Sequence, residues 1–292
     1  MRRYLRHVDK FADEYHLSST DRLKLKLRAP IVKVHWYANY GSPRMKALGT
    51  AISPWLNHQI RIRVEKCGKA SDIPVSFERS DFASYTEVLL EGAYSLPVDM
   101  SSIRTMVDLG ANTGMASLYF CLNCENLENL VLVEANPKLR SKLKNNLREQ
   151  MKRRSIEILQ ACVSNDPAQE VTFHISDDHR MSYKDTGSVP GNLVPVTVKN
   201  IRLSELLDSK DLAEVDILKM DIEGSEFGVL EDKDVLKRFR FIVAEVHGES
   251  PRREQFANRI RDLGFQLPED HKHDPGAPCE QLWAIRRQKA AA

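Results

Sequence analysis

A chain of 292 residues can bury one sizeable core, and it exceeds a typical single domain by enough for one added region. Its composition is that of an ordinary globular protein, 42% hydrophobic and 29% charged, with 43 basic and 41 acidic residues leaving a formal net charge of +2. That balance gives no support for a nucleic-acid partner, and no apolar run reaches the length of a membrane span, so no membrane partner is expected either.

The N-terminus, Met1-Arg2-Arg3-Tyr4, lacks the apolar core of a signal peptide, which makes a cytoplasmic location the expectation. The clusters Arg2, Arg3 and Arg6, then Lys24, Lys26 and Arg28, then Lys152 to Arg154 read as solvated faces. Five cysteines, Cys67, Cys121, Cys124, Cys162 and Cys279, are an odd number at irregular spacing and suit reduced thiols better than a disulfide framework. Cys121 and Cys124 form a CxxC in helical context with no second ligand pair, so zinc is not expected.

In chain order, Tyr4 to Leu25 and Ala29 to Leu56 carry helical patterns, broken near Gly41-Ser42-Pro43. Trp36, Tyr37, Tyr40 and Trp55 give this region its aromatic density. Ile60 to Val64 alternates like a strand and is expected to pair with Ile73 to Phe77 as a hairpin through Gly68. From about residue 103 short apolar runs alternate with helical patterns, the signature of βαβ units around a mostly parallel sheet. The expected strands are Thr105 to Leu109, Leu130 to Glu134, Ile156 to Val163, Val215 to Met220, Phe241 to Val246 and Gln281 to Ile285. A polar excursion from about Ser164 to Gly191 holds one extra strand, Val171 to Ile175. Its part from Asp177 to Gly191, with His179, Arg180 and Tyr183, is a candidate lid.

Chemistry concentrates at the strand ends. Asp108-Leu109-Gly110-Ala111-Asn112-Thr113-Gly114 places a carboxylate and two glycines at the carboxyl end of the first parallel strand, where open α/β sheets bind ligands. A dinucleotide fingerprint needs a glycine where this chain has Asn112, and Asp108 would face a diphosphate with negative charge. The cationic methionine portion of S-adenosylmethionine would instead find acceptors there. Glu134, 26 residues further on, is placed to accept hydrogen bonds from ribose hydroxyls, and Cys162, Val163 and Ser164 to flank an adenine. The fourth strand runs into Lys219-Met220-Asp221-Ile222-Glu223-Gly224-Ser225-Glu226 and the fifth into Glu245-Val246-His247. Adjacent parallel strands present these ends to one crevice, so Asp221, Glu223, Glu245 and His247 form a candidate acid/base cluster. An acidic turn that only caps the following helix is the competing reading for Glu223 and Glu226.

The DLGANTG, VEANP and KMDIEGSE segments together resemble the FkbM-type family of S-adenosylmethionine-dependent methyltransferases, over roughly residues 72 to 285. Arg79-Ser80-Asp81 and Glu91-Gly92-Ala93-Tyr94 resemble that family's segment before the first motif, which lines the donor pocket. The resemblance implies an α/β fold with a Rossmann-like seven-stranded class I methyltransferase sheet and an antiparallel last strand. It also implies O-methylation of natural products or glycans. The expected donor site is Glu91, Tyr94, Asp108, Gly110, Asn112, Gly114, Glu134, Ala135, Val163, Ser164 and Asp221, with Asp221, His247 and Glu245 catalytic.

The expected acceptor is a hydroxylated small molecule, with His247 or Asp221 taking its proton and Glu245 orienting or sharing the charge. Magnesium held by Asp221, Glu245 and His247 is a variant that no dedicated spacing indicates. N- or C-methylation on the same fold, a nicotinamide-dependent oxidoreductase and a donor-binding module without catalysis are the alternatives. Residues 1–70 match no family motif and are expected to form a mainly helical cap or a homo-oligomer interface. The methyltransferase domain is expected over 71–288, and residues 289–292 resemble an expression-tag remnant.

Overall fold

The computed structural model describes residues 2–31, 33, 34, 42–45, 47, 48, 51, 59–96, 98–176, 183, 184, 193–268 and 279–286. The aromatic residues Trp36, Tyr37, Tyr40 and Trp55, the proposed lid apart from residues 183 and 184, and residues 289–292 lie outside the described residues. The chain divides into two compact units. The first takes residues 1–97, 113–125 and 142–153, and the second takes 98–112, 126–141 and 154–292.

In the first unit, the helices Arg2–Glu14 and Ser19–Lys26 are joined where Ser18 caps the second helix by accepting from the Asp21 amide. Tyr4, Val8, Phe11 and Ala12 recur on one face of the first helix and are buried. Tyr4 donates its hydroxyl to the Leu25 carbonyl at 2.8 Å, tying the two helices together. Strands β1 (Gln59–Lys66) and β2 (Lys69–Ser76) form the expected hairpin, with Ile62 opposite Ile73. Its turn residues Cys67 and Gly68 both take positive φ, 51° and 67°, the type I′ combination that matches strand twist. Residue 70 therefore lies within β2. The helix Arg79–Tyr85 follows, and Phe77 stacks on Phe82 with ring centroids 5.0 Å apart. The helix Met115–Asn123 is buried almost all round, as its mostly apolar sequence requires. Cys121 and Cys124 lie buried within or just after it, and all five cysteines are free thiols.

The second unit holds a seven-stranded sheet. Its strands are β3 (Thr105–Leu109), β4 (Asn129–Val133), β5 (Ser155–Leu159), β10 (Val215–Met220), β11 (Phe239–His247), β12 (Phe265–Gln266) and β13 (Cys279–Arg286). The order is β12-β13-β11-β10-β3-β4-β5, with β13 antiparallel to β11 and the strands from β11 to β5 parallel. This is the Rossmann-like class I sheet with its last strand inserted antiparallel. Its near-continuous apolar strands are buried on both faces, as a parallel sheet covered by helices demands.

The expected third strand, 156–163, is two strands in two sheets. Ala161 donates its amide to the Glu134 carbonyl and Glu134 donates its own to the Leu159 carbonyl, which carries the pairing with the β4 end one step past β5. Beyond Ala161, β6 (Cys162–Val163) enters a four-stranded sheet with β7 (Glu170–Ile175), β8 (Tyr183–Lys184) and β9 (Val194–Ile201), in the order β6-β9-β7-β8. Strand β9 is not among those expected from the sequence. Val194, Val196 and Val198 alternate as a strand should, but Pro195 interrupts the pattern near its start. Among the described residues, no helix is long and apolar enough to cross a membrane.

Candidate active site

Where β3 ends, the chain must turn between two neighbouring strands with almost no room. Gly110 adopts φ 75°, and a Cβ built on it would lie 1.8 Å from the Asp221 carbonyl oxygen, so only glycine fits. Asn112 follows at φ 51°, a left-handed conformation that asparagine tolerates. Its amide donates to Glu134 Oε2 at 2.7 Å, while Glu134 Oε1 accepts from the Asn136 amide at 2.7 Å. Two backbone donors thus hold the Glu134 carboxylate across the β3 and β4 ends. Burial nevertheless raises its pKa above the ordinary range.

Beside these groups opens a cleft lined by Gly110, Asn112, Val133, Glu134, Ala135, Ala161, Cys162, Val163, Phe173, Asp221, Ile222 and Glu223. Six of the expected donor-site residues line it: Gly110, Asn112, Glu134, Ala135, Val163 and Asp221. Ser164 does not. It is buried, and its hydroxyl donates to Asn200 Oδ1 in the smaller sheet. Asp108 lies beneath the cleft, wholly buried, with Lys219 Nζ 3.1 Å from its Oδ1. Asp108, expected among the donor-site residues, is thus paired with an internal cation and is not part of the cleft lining. Glu91, Tyr94 and Gly114 belong to the first unit. There Glu91 pairs with Arg3 at 2.9 Å, the Tyr94 ring lies 6.1 Å from that of Phe120, and Gly114 at φ 83° leaves no room for a Cβ against Leu143.

At the ends of β10 and β11 the expected acid/base residues come together. His247 Nδ1 is 3.2 Å from Glu226 Oε1, and its Nε2 is 3.5 Å from Glu223 Oε2 and 3.8 Å from Glu245 Oε1. Desolvation opposes the imidazolium, but the Glu226 hydrogen bond and the surrounding carboxylates outweigh it and raise the pKa to about 9. Burial raises Asp221 to about 7, with Lys219 pulling down and Glu245 pushing up, and burial likewise raises Glu223 to about 8. At neutral pH the group therefore presents a protonated histidine, with Asp221 close to its titration point. The ligand atoms of Asp221, Glu223 and His247 lie within 4.8 Å of one another, as do those of Glu245, His247 and Cys279. A divalent ion there would require His247 to give up its proton.

Three contributors escaped the sequence reading. Lys219 is buried; its Nζ donates to the Gly110 carbonyl at 2.6 Å, pairs with Asp108 and lies 3.8 Å from Asp221 Oδ2, which together hold its pKa up against desolvation. Glu226, treated as a possible helix cap, is fully buried, and its Oε1 accepts from the Ile222 and Gly224 amides at 3.1 Å each. It thereby shapes the turn that presents Asp221 and Glu223. Phe173, from β7, supplies an aromatic wall to the cleft. A lysine inside an apolar strand was the one available signal, since burial of a lone ammonium demands a carboxylate partner.

A family model described as "Methyltransferase FkbM domain" matches residues 108–270. Solved structures similar to the chain include an FkbM methyltransferase from Methylobacillus flagellatus KT, 16% identical over 71% of this chain and 54% of that one, with a TM-score of 0.42. Another is fibrillarin from Aeropyrum pernix with bound S-adenosyl-L-methionine, 13% identical over 77% and 94%, TM-score 0.42. A third is precorrin-6y C5,15-methyltransferase from Geobacter metallireducens GS-15, 15% identical over 64% and 84%, TM-score 0.37. No curated protein matches the sequence.

Proposed function

The chain belongs to the FkbM methyltransferase family, and from that premise we propose that it transfers the methyl group of S-adenosylmethionine to a hydroxyl oxygen of a small-molecule acceptor, a natural product or sugar. The observation that carries the choice of oxygen is the group Asp221, Glu223, Glu245 and His247 at the cleft, because a hydroxyl must lose a proton to become a good nucleophile. A neutral amine acceptor would not need one.

The cleft suits a nucleoside-bearing donor. Gly110 lets backbone approach closely, and Asn112 Oδ1 is buried with no hydrogen-bond partner among the described residues, so an acceptor is free in the lining. Glu134 keeps lone pairs for ribose hydroxyls beyond its two backbone bonds, and Phe173, Cys162 and Val163 offer an apolar wall to a base. When bound, the donor supplies an electrophilic methyl group on a positively charged sulfur. Asp221 accepts the acceptor's hydroxyl proton, since a base titrating near the working pH combines availability with strength. His247 stays protonated and orders Glu223 and Glu245 around that base.

The test is turnover with hydroxylated acceptors, alongside calorimetric titration with S-adenosylmethionine. Asp221→Asn is expected to lower kcat by about a hundredfold to ten-thousandfold. For the wild type, kcat/KM should rise through about pH 7 and fall near pH 9, as Asp221 and then His247 lose their protons. Failure to bind the donor would defeat the methyltransferase reading, whereas donor binding with transfer only to nitrogen or carbon would defeat the choice of oxygen.

A further inference from the structure

Charge is distributed unevenly along this nearly neutral chain. The first unit holds 21 lysines and arginines against 12 aspartates and glutamates, and the second holds 22 against 29. The asymmetry is sharpest from Arg22 to Val64, where nine lysines and arginines occur without one acidic residue. Apolar exposure falls in the same place. Of the five large apolar side chains exposed among the described residues, Leu23, Leu27 and Leu48 are three, at 55%, 62% and 54%.

Leu23 and Leu27 are four residues apart and so lie side by side along the end of the second helix. Arg22 pairs with Asp9 and Asp13, and Lys26 pairs with Asp9 at 2.6 Å, which ties the two N-terminal helices together. Lys24 is paired with Asp21. Within these two helices, the cations without an ion pair among the described residues are Arg2, Arg6 and Lys10, exposed at four-residue spacing on the first helix. Its opposite face, Tyr4, Val8, Phe11 and Ala12, is buried in the unit.

We propose that these two helices form a docking surface for an anionic phospholipid membrane, with Arg2, Arg6 and Lys10 meeting the headgroups and Leu23 and Leu27 entering the acyl boundary. Exposed leucines and unpaired cations on two helices tied together are the two components an interfacial surface requires, and no membrane span is needed for such binding. A nucleic-acid surface would use the cations but leave the leucines without purpose, because phosphate contacts come from charge and polar donors. The expectation of no membrane partner rested on the lack of a span. A surface contact is a different arrangement.

The experiment is sedimentation of the full chain with vesicles of phosphatidylcholine and phosphatidylserine at about two to one, against phosphatidylcholine alone, at low and high salt. The expected result is phosphatidylserine-dependent binding that salt weakens. It should fall about tenfold or more in Leu23→Glu/Leu27→Glu and in Arg2→Glu/Arg6→Glu/Lys10→Glu. Both variants should keep the wild-type circular dichroism spectrum, since every changed side chain is exposed. Wild-type protein left in the supernatant with anionic vesicles would overturn the proposal, and so would undiminished binding by the leucine variant. Tight binding of a single-stranded RNA, lost in the cationic variant and kept in the leucine variant, would replace the membrane with a nucleic acid.

Discussion

At Gly110 the backbone conformation and the steric contact both demand glycine. The contact a Cβ would make is with the backbone oxygen of Asp221, whose own amide donates to the Leu109 carbonyl, so neither partner can move without parting β3 from β10. Gly110→Ala is expected to cost about 3 kcal/mol, combining strained φ with overpacking, measured by urea denaturation. A cost under about 1 kcal/mol would mean that the strand ends separate easily. Glu226→Gln probes a different dependence. The amide oxygen can still accept from Ile222 and Gly224, but the negative charge beside His247 is gone. The falling limb of the rate profile should then move from about pH 9 towards the ordinary histidine value of 6.5, and a limb left in place would release Glu226 from that role. Gly110, Asp221 and His247 were legible in the sequence because each sits at a strand end. Glu226 was not, since an acidic residue in a first helical turn looks the same whether it caps a helix or holds a histidine.

Among elements, the pairing of β10 with β3 matters most to the site, because it sets Lys219 directly opposite Asp108 in register. Both side chains are buried, so removing one partner leaves the other charge stranded. Lys219→Met should cost about 3–5 kcal/mol, and adding Asp108→Asn should recover part of it. A denaturation double-mutant cycle reads the coupling, and strictly additive losses would show that the pair is not a unit. Among strands, β3 and β10 were readable to the residue, because central parallel strands are unbroken apolar runs between turn signals. The split of β5 from β6 was not readable, because β6 changes partner to β9, a strand far along the chain, and no local residue announces it. The expected count of seven strands and the antiparallel last strand came through the family resemblance and are present in the sheet.

For the whole molecule, three coupled groups set the response to pH. Asp221, Glu223 and His247 are raised to about 7, 8 and 9 from 3.8, 4.5 and 6.5, so each favours its protonated form in the fold. Their contribution is complete below the unfolded values and is lost as pH climbs through the folded ones. The thermal midpoint should therefore fall between about pH 6 and pH 9, less steeply in Glu223→Gln, and a midpoint rising across that interval would contradict the assignment. The insertion of β13 has a consequence in time. It pairs with β11 along its length and with β12 at its end, yet it is synthesised after both. During translation the sheet must stand with a gap between two strands already made, and β12, which among the described residues pairs with β13 alone, has no place until that segment emerges. A nascent chain stalled before residue 279 would expose the β11 edge, the open hydrogen-bonding row that recruits foreign strands.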